Sequence, residues 1–361
     1  MPASELSSAP VASFKAPLYV AWEITHHCNA RCLHCYSSSG LTADRSGELS
    51  TEEALDVIDQ LADCGLLVLA FSGGEPLLRD DWRTLVDRAI RRGLRVNIGT
   101  NGSTVTPRIA DDLAALGVHS ITVSLDSHDP QVHEQFRQLP GLFPRAVNAI
   151  RWLRERGLRV VVGFTPTTLN HRDSADVVRL AWRLGASAVN LSEYVPAGRG
   201  PIDLALSPRR LRQVLETWIA LRERYRGKID LIWHDCRVGM LVPPEDRRKY
   251  VGCGAGRLVA RIRPDGTVTP CVFLPTAIGS LRETRFAELW QRSELMRRFR
   301  ERSGHYHGNC GQCEHLSSCG GCRAVAYAYS GGDPLAGDPH CWIRPCDEPL
   351  PRLATGEALP I

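Results

Sequence analysis

Between residue 17 and about residue 226, short apolar runs alternate with longer segments in which apolar positions recur every three or four residues. The runs at 18–24, 66–72, 94–99, 119–125, 159–165 and 187–194 have strand length and strand composition. The segments at 51–64, 81–92, 106–116, 143–156, 173–184 and 207–225 carry the period of amphipathic helices. Such alternation predicts βαβ units and a parallel sheet, and six repeats predict an α/β fold built on a partial (β/α)6 TIM-type barrel. Local signals agree. Ser50 before Thr51-Glu52-Glu53 reads as a capping box, Ser207-Pro208 places proline in a first turn, and Gly93, Gly117, Gly157 and Gly185 each follow a helical segment.

Past Gly227 the pattern breaks down into short runs rich in glycine and cysteine. The expected organisation is a disordered lead-in over 1–16, a barrel over 17–227, a bridging segment over 228–252, a small cysteine-rich domain over 253–346 and a tail over 347–361. Within the cysteine-rich part, Leu258 to Arg263 and Thr267 to Pro270 flank Pro264-Asp265-Gly266, which predicts a β-hairpin.

Composition narrows the function classes. The 361 residues carry a net charge of only +4, and the many arginines lie scattered through helical segments without interleaved aromatics, so no nucleic-acid surface is expected. No run approaches the ~18 apolar residues of a spanning helix, and the polar start has no basic-then-apolar signal, so no membrane association and a cytoplasmic location are expected. Thirteen cysteines in a reducing compartment point to metal or cluster binding before disulfides. Cys64, on the apolar side of a helix, reads as a core thiol.

Chemistry concentrates in Cys28-Asn29-Ala30-Arg31-Cys32-Leu33-His34-Cys35, directly after the first strand. Three thiols at spacings of four and three suit an iron–sulfur cube, which has four irons and so keeps one open for a ligand. A zinc site completed by His26, His27 or His34 is the bland alternative. The next strand ends in Phe71-Ser72-Gly73-Gly74-Glu75-Pro76, where two glycines allow close backbone approach to a ligand and Glu75 offers a carboxylate; a plain strand-to-helix turn would look the same. Further strand ends carry Gly99-Thr100-Asn101-Gly102 and Val123-Ser124-Leu125-Asp126-Ser127. From Cys236 onward stand nine thiols, including Cys253, Cys271, the series Cys310-x2-Cys313-x5-Cys319-x2-Cys322, Cys341 and Cys346. That exceeds what one metal needs, and a pair of zinc knuckles is the alternative to clusters.

Together these motifs resemble the radical S-adenosylmethionine (radical SAM) enzymes with a SPASM extension, over residues 17 to about 346. The resemblance implies that Cys28, Cys32 and Cys35 hold a [4Fe–4S] cluster whose open iron binds S-adenosylmethionine (SAM), which is cleaved to a 5′-deoxyadenosyl radical. It implies cofactor contacts by Gly73, Gly74 and Glu75 with the methionine amino group, Asn101 with the ribose, Ser124 and Arg137 with the carboxylate, and Leu191 with the adenine. It further implies two auxiliary [4Fe–4S] clusters, one on Cys253, Cys271 and Cys322, the other on Cys310, Cys313, Cys319 and Cys341. The series Cys310-x2-Cys313-x5-Cys319-x2-Cys322 departs from the commonest pattern in its last gap, two residues instead of three; Cys236 is the candidate fourth ligand of the first auxiliary cluster, and Cys346 is spare.

Within that group, Gly252-Cys253-Gly254-Ala255-Gly256-Arg257 and Cys35-Tyr36-Ser37-Ser38-Ser39-Gly40 resemble mycofactocin peptide maturases. Pro270-Cys271-Val272-Phe273-Leu274-Pro275 and Cys319-Gly320-Gly321-Cys322-Arg323-Ala324 resemble the alternative haem-pathway enzymes that remove or shorten propionates. The implied function is oxidative modification, with decarboxylation, of a carboxylated small-molecule intermediate in cofactor or natural-product biosynthesis. A flavodoxin or ferredoxin is the expected electron donor. With about sixteen residues before the first strand, no fused leader-binding domain is expected. Maturation of a ribosomally made peptide, with a separate leader-peptide-binding protein, is the alternative, and an iron–sulfur electron carrier the remote one. The residues name no catalytic side chain.

Overall fold

The structure is a computed structural model and describes residues 14–344. Cys346, the 347–361 tail and most of the 1–16 lead-in lie outside the described residues. Ten strands form one sheet: β1 Tyr19–Thr25, β2 Val68–Gly73, β3 Arg95–Thr100, β4 Ser120–Ser124, β5 Val160–Phe164, β6 Ala188–Ser192, β7 Asp230–His234, β8 Val259–Ile262, β9 Thr267–Thr269 and β10 Gly279–Ser280. Their order is β10-β9-β8-β1-β2-β3-β4-β5-β6-β7, parallel from β8 through β7 and antiparallel at β8-β9-β10. Helices α1 Thr51–Asp63, α2 Trp82–Arg91, α3 Pro107–Leu116, α4 Pro130–Arg137, α5 Leu142–Glu155, α6 Ser174–Arg183 and α7 Pro208–Arg224 follow the strands.

The parallel α/β arc is as expected, with two additions. β7 lies inside the 228–252 segment expected as a bridge and continues the arc beside β6. As the outermost strand of the arc it has Ile232 exposed, so its sequence lacks the continuous apolar run that marked the inner strands. The expected hairpin forms as β8 and β9, but β8 also pairs in parallel with β1, placing Ile262 beside Trp22 and Arg261 beside Ala21. The arc therefore has seven strands from the barrel repeats and an eighth from the extension.

Strand parity sorts the side chains. Trp22, Phe71, Ile98, Ile121 and Val160 lie in register on one face and pack with Ile58, Leu85, Leu113, Ile150 and Val177 of the helices into the main core. The opposite parity carries small and polar groups: Glu23, Ser72, Asn97, Gly99, Thr122, Ser124, Gly163 and Asn190. A sheet that hides its large residues under helices leaves its inner face for ligands.

Candidate active site and auxiliary centres

The cysteine loop leaves the end of β1 and is tied down at both ends. Glu48 accepts the His26 backbone N–H at 2.7 Å and the Thr25 hydroxyl at 2.8 Å, while Cys28 N–H donates to the Gly40 carbonyl at 3.2 Å. Cys28 and Cys32 are buried and Cys35 is half-buried, in one cluster with Ala30 and Leu139. Donors reach their sulfurs: Ala30 N–H at 3.4 Å from Cys28, and the Arg137 guanidinium at 3.7 Å from Cys32. Burial pushes the Cys28 thiol up to about 12 and raises that of Cys32, a desolvation that a bound cationic centre would offset.

Zinc fits less well. His34 lies flat on Phe136 with ring centroids 4.2 Å apart, and burial lowers its pKa to about 3. Among the described residues no three His, Cys, Asp or Glu side chains are grouped to hold a single metal ion.

The expected cofactor residues divide. Gly73 and Gly74 do serve close approach, but to the protein itself: a Cβ on Gly74 would stand 2.1 Å from the His27 carbonyl oxygen, and one on Gly73, at φ +127°, 2.4 Å from that of Thr25. They dock β2 against the root of the cysteine loop. Glu75 is fully buried; its carboxylate accepts from Thr100 Oγ1 at 2.7 Å and Asn101 N at 2.8 Å. It braces the β3 end, and Asn101 in turn donates to Asn29 at 2.9 Å inside the cysteine loop. Ser124 stands half-buried at the end of β4 on the inner face. Arg137 meets the thiol of Cys32 as described, but its Nε is taken by the buried Asp126 at 2.6 Å. Asp126 is thus the partner of Arg137, and Asp129 caps α4. Leu191 needs correcting. Its parity is that of Val189, and it is fully buried in the main core under the helices, on the face away from any adenine within the arc. Asn190 and Ser192, hydrogen-bonded at 3.0 Å, occupy the inner face there.

In the extension, Cys310, Cys313, Cys319 and Cys341 line one cleft of about 320 Å³ with Arg237, His315 and Asp338. Cys253, Cys271 and Cys322 pack together against a second core around Leu274, Phe299 and Val325. Cys236 lies beside Cys319, on the side of the other four thiols. The reason is its neighbours, because Arg237 is buried among Glu193 at 2.8 Å, Asp235 at 2.9 Å and Asp338 at 3.0 Å, which fixes the backbone around Cys236. Sequence reasoning missed this buried network, and it also missed Arg199, whose Nε donates to the Cys32 carbonyl at 2.8 Å and straps the loop after β6 onto the cysteine loop.

An open parallel arc with buried thiols at its first strand end, joined to a thiol-rich extension, is an α/β scaffold whose cysteines are grouped as cluster-binding proteins group theirs. Residues 22–181 match the radical SAM superfamily, and residues 253–314 match the SPASM iron–sulfur cluster-binding domain. The AdoMet-dependent heme synthase of Methanosarcina barkeri is 34% identical over 348 residues, covering 93% of this chain and 99% of that protein. The mycofactocin maturase MftC of Mycolicibacterium smegmatis is 34% identical over 346 residues, covering 92% and 85%. SuiB of Streptococcus suis, solved with S-adenosylmethionine, superposes with a TM-score of 0.76 over 91% of this chain and 78% of its own, at 18% identity. The chain belongs to the radical SAM enzymes with a SPASM domain. Its cofactors are accordingly a [4Fe–4S] cluster and SAM, with auxiliary iron–sulfur clusters in the extension. Among the described residues no helix is long and apolar enough to cross a membrane.

Proposed function

We propose that the enzyme oxidises a carboxylate-bearing small molecule with loss of carbon dioxide. One observation carries this reading: Tyr36, next to the cluster ligand Cys35, and Val272 and Phe273, next to the auxiliary ligand Cys271, line the same cleft. Tyr36 and Phe273 meet edge to face with centroids 5.4 Å apart. A substrate seated there lies between the site of hydrogen abstraction and an electron acceptor, which is what a net oxidation needs. When bound, the first cluster and SAM supply one-electron cleavage and hydrogen abstraction, and an auxiliary cluster supplies the electron sink.

The chain's own residues hold that arrangement. Cys28, Cys32 and Cys35 would hold the first cluster, Arg137 and the Ala30 N–H steady its thiolates, and Glu75 and Asn101 brace the loop. Cys253, Cys271 and Cys322 would hold the nearer auxiliary cluster, with Cys310, Cys313, Cys319 and Cys341 holding the other. A flavodoxin or ferredoxin would deliver the initiating electron, in the cytoplasm. The heme synthases support a small-molecule substrate. The maturases, at the same 34% identity, support the second reading, a peptide substrate with a separate leader-binding protein.

The test is Cys271→Ser. SAM should still be cleaved to 5′-deoxyadenosine while carbon dioxide release from substrate stops; undiminished product formation would overturn the electron-acceptor role.

A further inference from the structure

The cleft between barrel and extension has a chemical polarity of its own. It encloses about 410 Å³, partly open to solvent, and its apolar side is built from Tyr36, Pro196, Val272, Phe273 and Pro275. Its other side presents two guanidiniums, Arg261 and Arg263. Two residues apart across the end of β8, they share the parity that faces the inside of the arc, since Arg261 lies beside Ala21 of β1.

The charges there do not cancel. Arg261 is 4% exposed and pairs with the buried Glu23 at 2.7 Å. Arg263 forms no ion pair among the described residues; its guanidinium donates from Nη2 to the Pro275 carbonyl at 3.1 Å. The Nε atoms of both arginines are buried without a hydrogen-bond partner. Asp265, the nearest further acid in sequence, turns its carboxylate to the Thr267 N–H at 2.9 Å. Tyr327 completes the wall beside Arg263. A buried, unsatisfied N–H is costly, and an Arg fork is satisfied best by a carboxylate.

We propose that Arg261 and Arg263 anchor a carboxylate arm of a flat, largely apolar substrate whose body lies against Phe273 and Tyr36. Arg261, preoccupied by Glu23, sets the orientation of the site, and Arg263, which has no carboxylate partner among the described residues, supplies the second guanidinium. The inference rests on the substrate class proposed above, and names the residues that select it.

The anchor can be read without turnover. Haem, a flat molecule with two propionates, and its dimethyl ester are titrated into anaerobically reconstituted enzyme and followed by absorbance. The wild type should bind haem at least about tenfold more tightly than the ester, the loss expected when a charge-assisted bond is removed. Arg263→Gln should erase that preference while keeping its iron content and its affinity for the ester. Arg263→Lys should restore part of it, and Arg209→Gln, an exposed arginine on α7, should change nothing. Equal affinity of wild type for both ligands, absence of haem binding, or a preference that survives Arg263→Gln would each overturn the anchor. Preference for the acid without any carbon dioxide release would leave the anchor standing and overturn only the reaction proposed above.

Discussion

The two thiol-bearing regions hold their cysteines by different means. At the barrel mouth the loop of Cys28, Cys32 and Cys35 hangs from a sheet: β1 delivers it, Gly73 and Gly74 press β2 against it, and Glu75 and Asn101 brace it from β3. The extension has little regular structure around its thiols, and buried arginines take over. Arg302 donates to the carbonyls of Leu316 at 2.8 Å, Ser317 at 2.7 Å and Cys253 at 2.8 Å, and Arg323 to that of Ala336 at 2.8 Å. Gly252 runs so close to the Cys319 carbonyl that a Cβ would stand 2.1 Å from its oxygen. Where a sheet ladder is missing, backbone carbonyls still need donors, and a guanidinium offers five in a fixed plane. The barrel site should therefore outlast damage to the extension.

The largest test of that contrast is Arg302→Ala. Three cubes hold about twelve irons per chain, and the variant should fall toward about four while still cleaving SAM reductively. Iron analysis and 5′-deoxyadenosine yield read this; full iron loading would show that the arginine does not organise the extension. Next comes Arg237→Ala, which removes the guanidinium shared by the buried carboxylates of Glu193, Asp235 and Asp338 and should cost about 3–5 kcal/mol in denaturant unfolding. A change within ±0.5 kcal/mol would mean that the network adds nothing to the junction of barrel and extension.

The smallest effect sits on the barrel side. Desolvation lifts Glu75 from 4.5 to about 7, against the lowering influence of the Asn101 N–H and the Thr100 hydroxyl. The folded, metal-free chain thus keeps a proton that the unfolded chain releases above 4.5, so stability is fullest below that pH and declines as pH rises toward 7, by ~3 kcal/mol at most. Urea midpoints of the metal-free protein across that window should fall, and Glu75→Gln should flatten the slope. A midpoint that climbs with pH would reverse the assignment.

Six strands and six helices of the arc were legible because period-2 and period-3.6 patterns are local, and helix stops such as Gly117, at φ +80°, are written in single residues. The thiol spacings were equally legible. β7 was not, because an edge strand with Ile232 exposed lacks the inner strands' apolar run. Nor was α4, a short helix of eight residues to which the periodicity assigned no element.

The order of residues by itself determined the barrel repeats, the spacing of the Cys28, Cys32 and Cys35 thiols and the radical SAM class, since each depends on neighbours a few positions apart. Only the tertiary structure decided that β8 joins β1 and aims Arg261 and Arg263 into the cleft, that Cys236 keeps company with Cys319, and that Leu191 turns under the helices. Those are long-range pairings, set by strand register and by the need of buried charges and carbonyls for partners, and spacing along the chain carries neither.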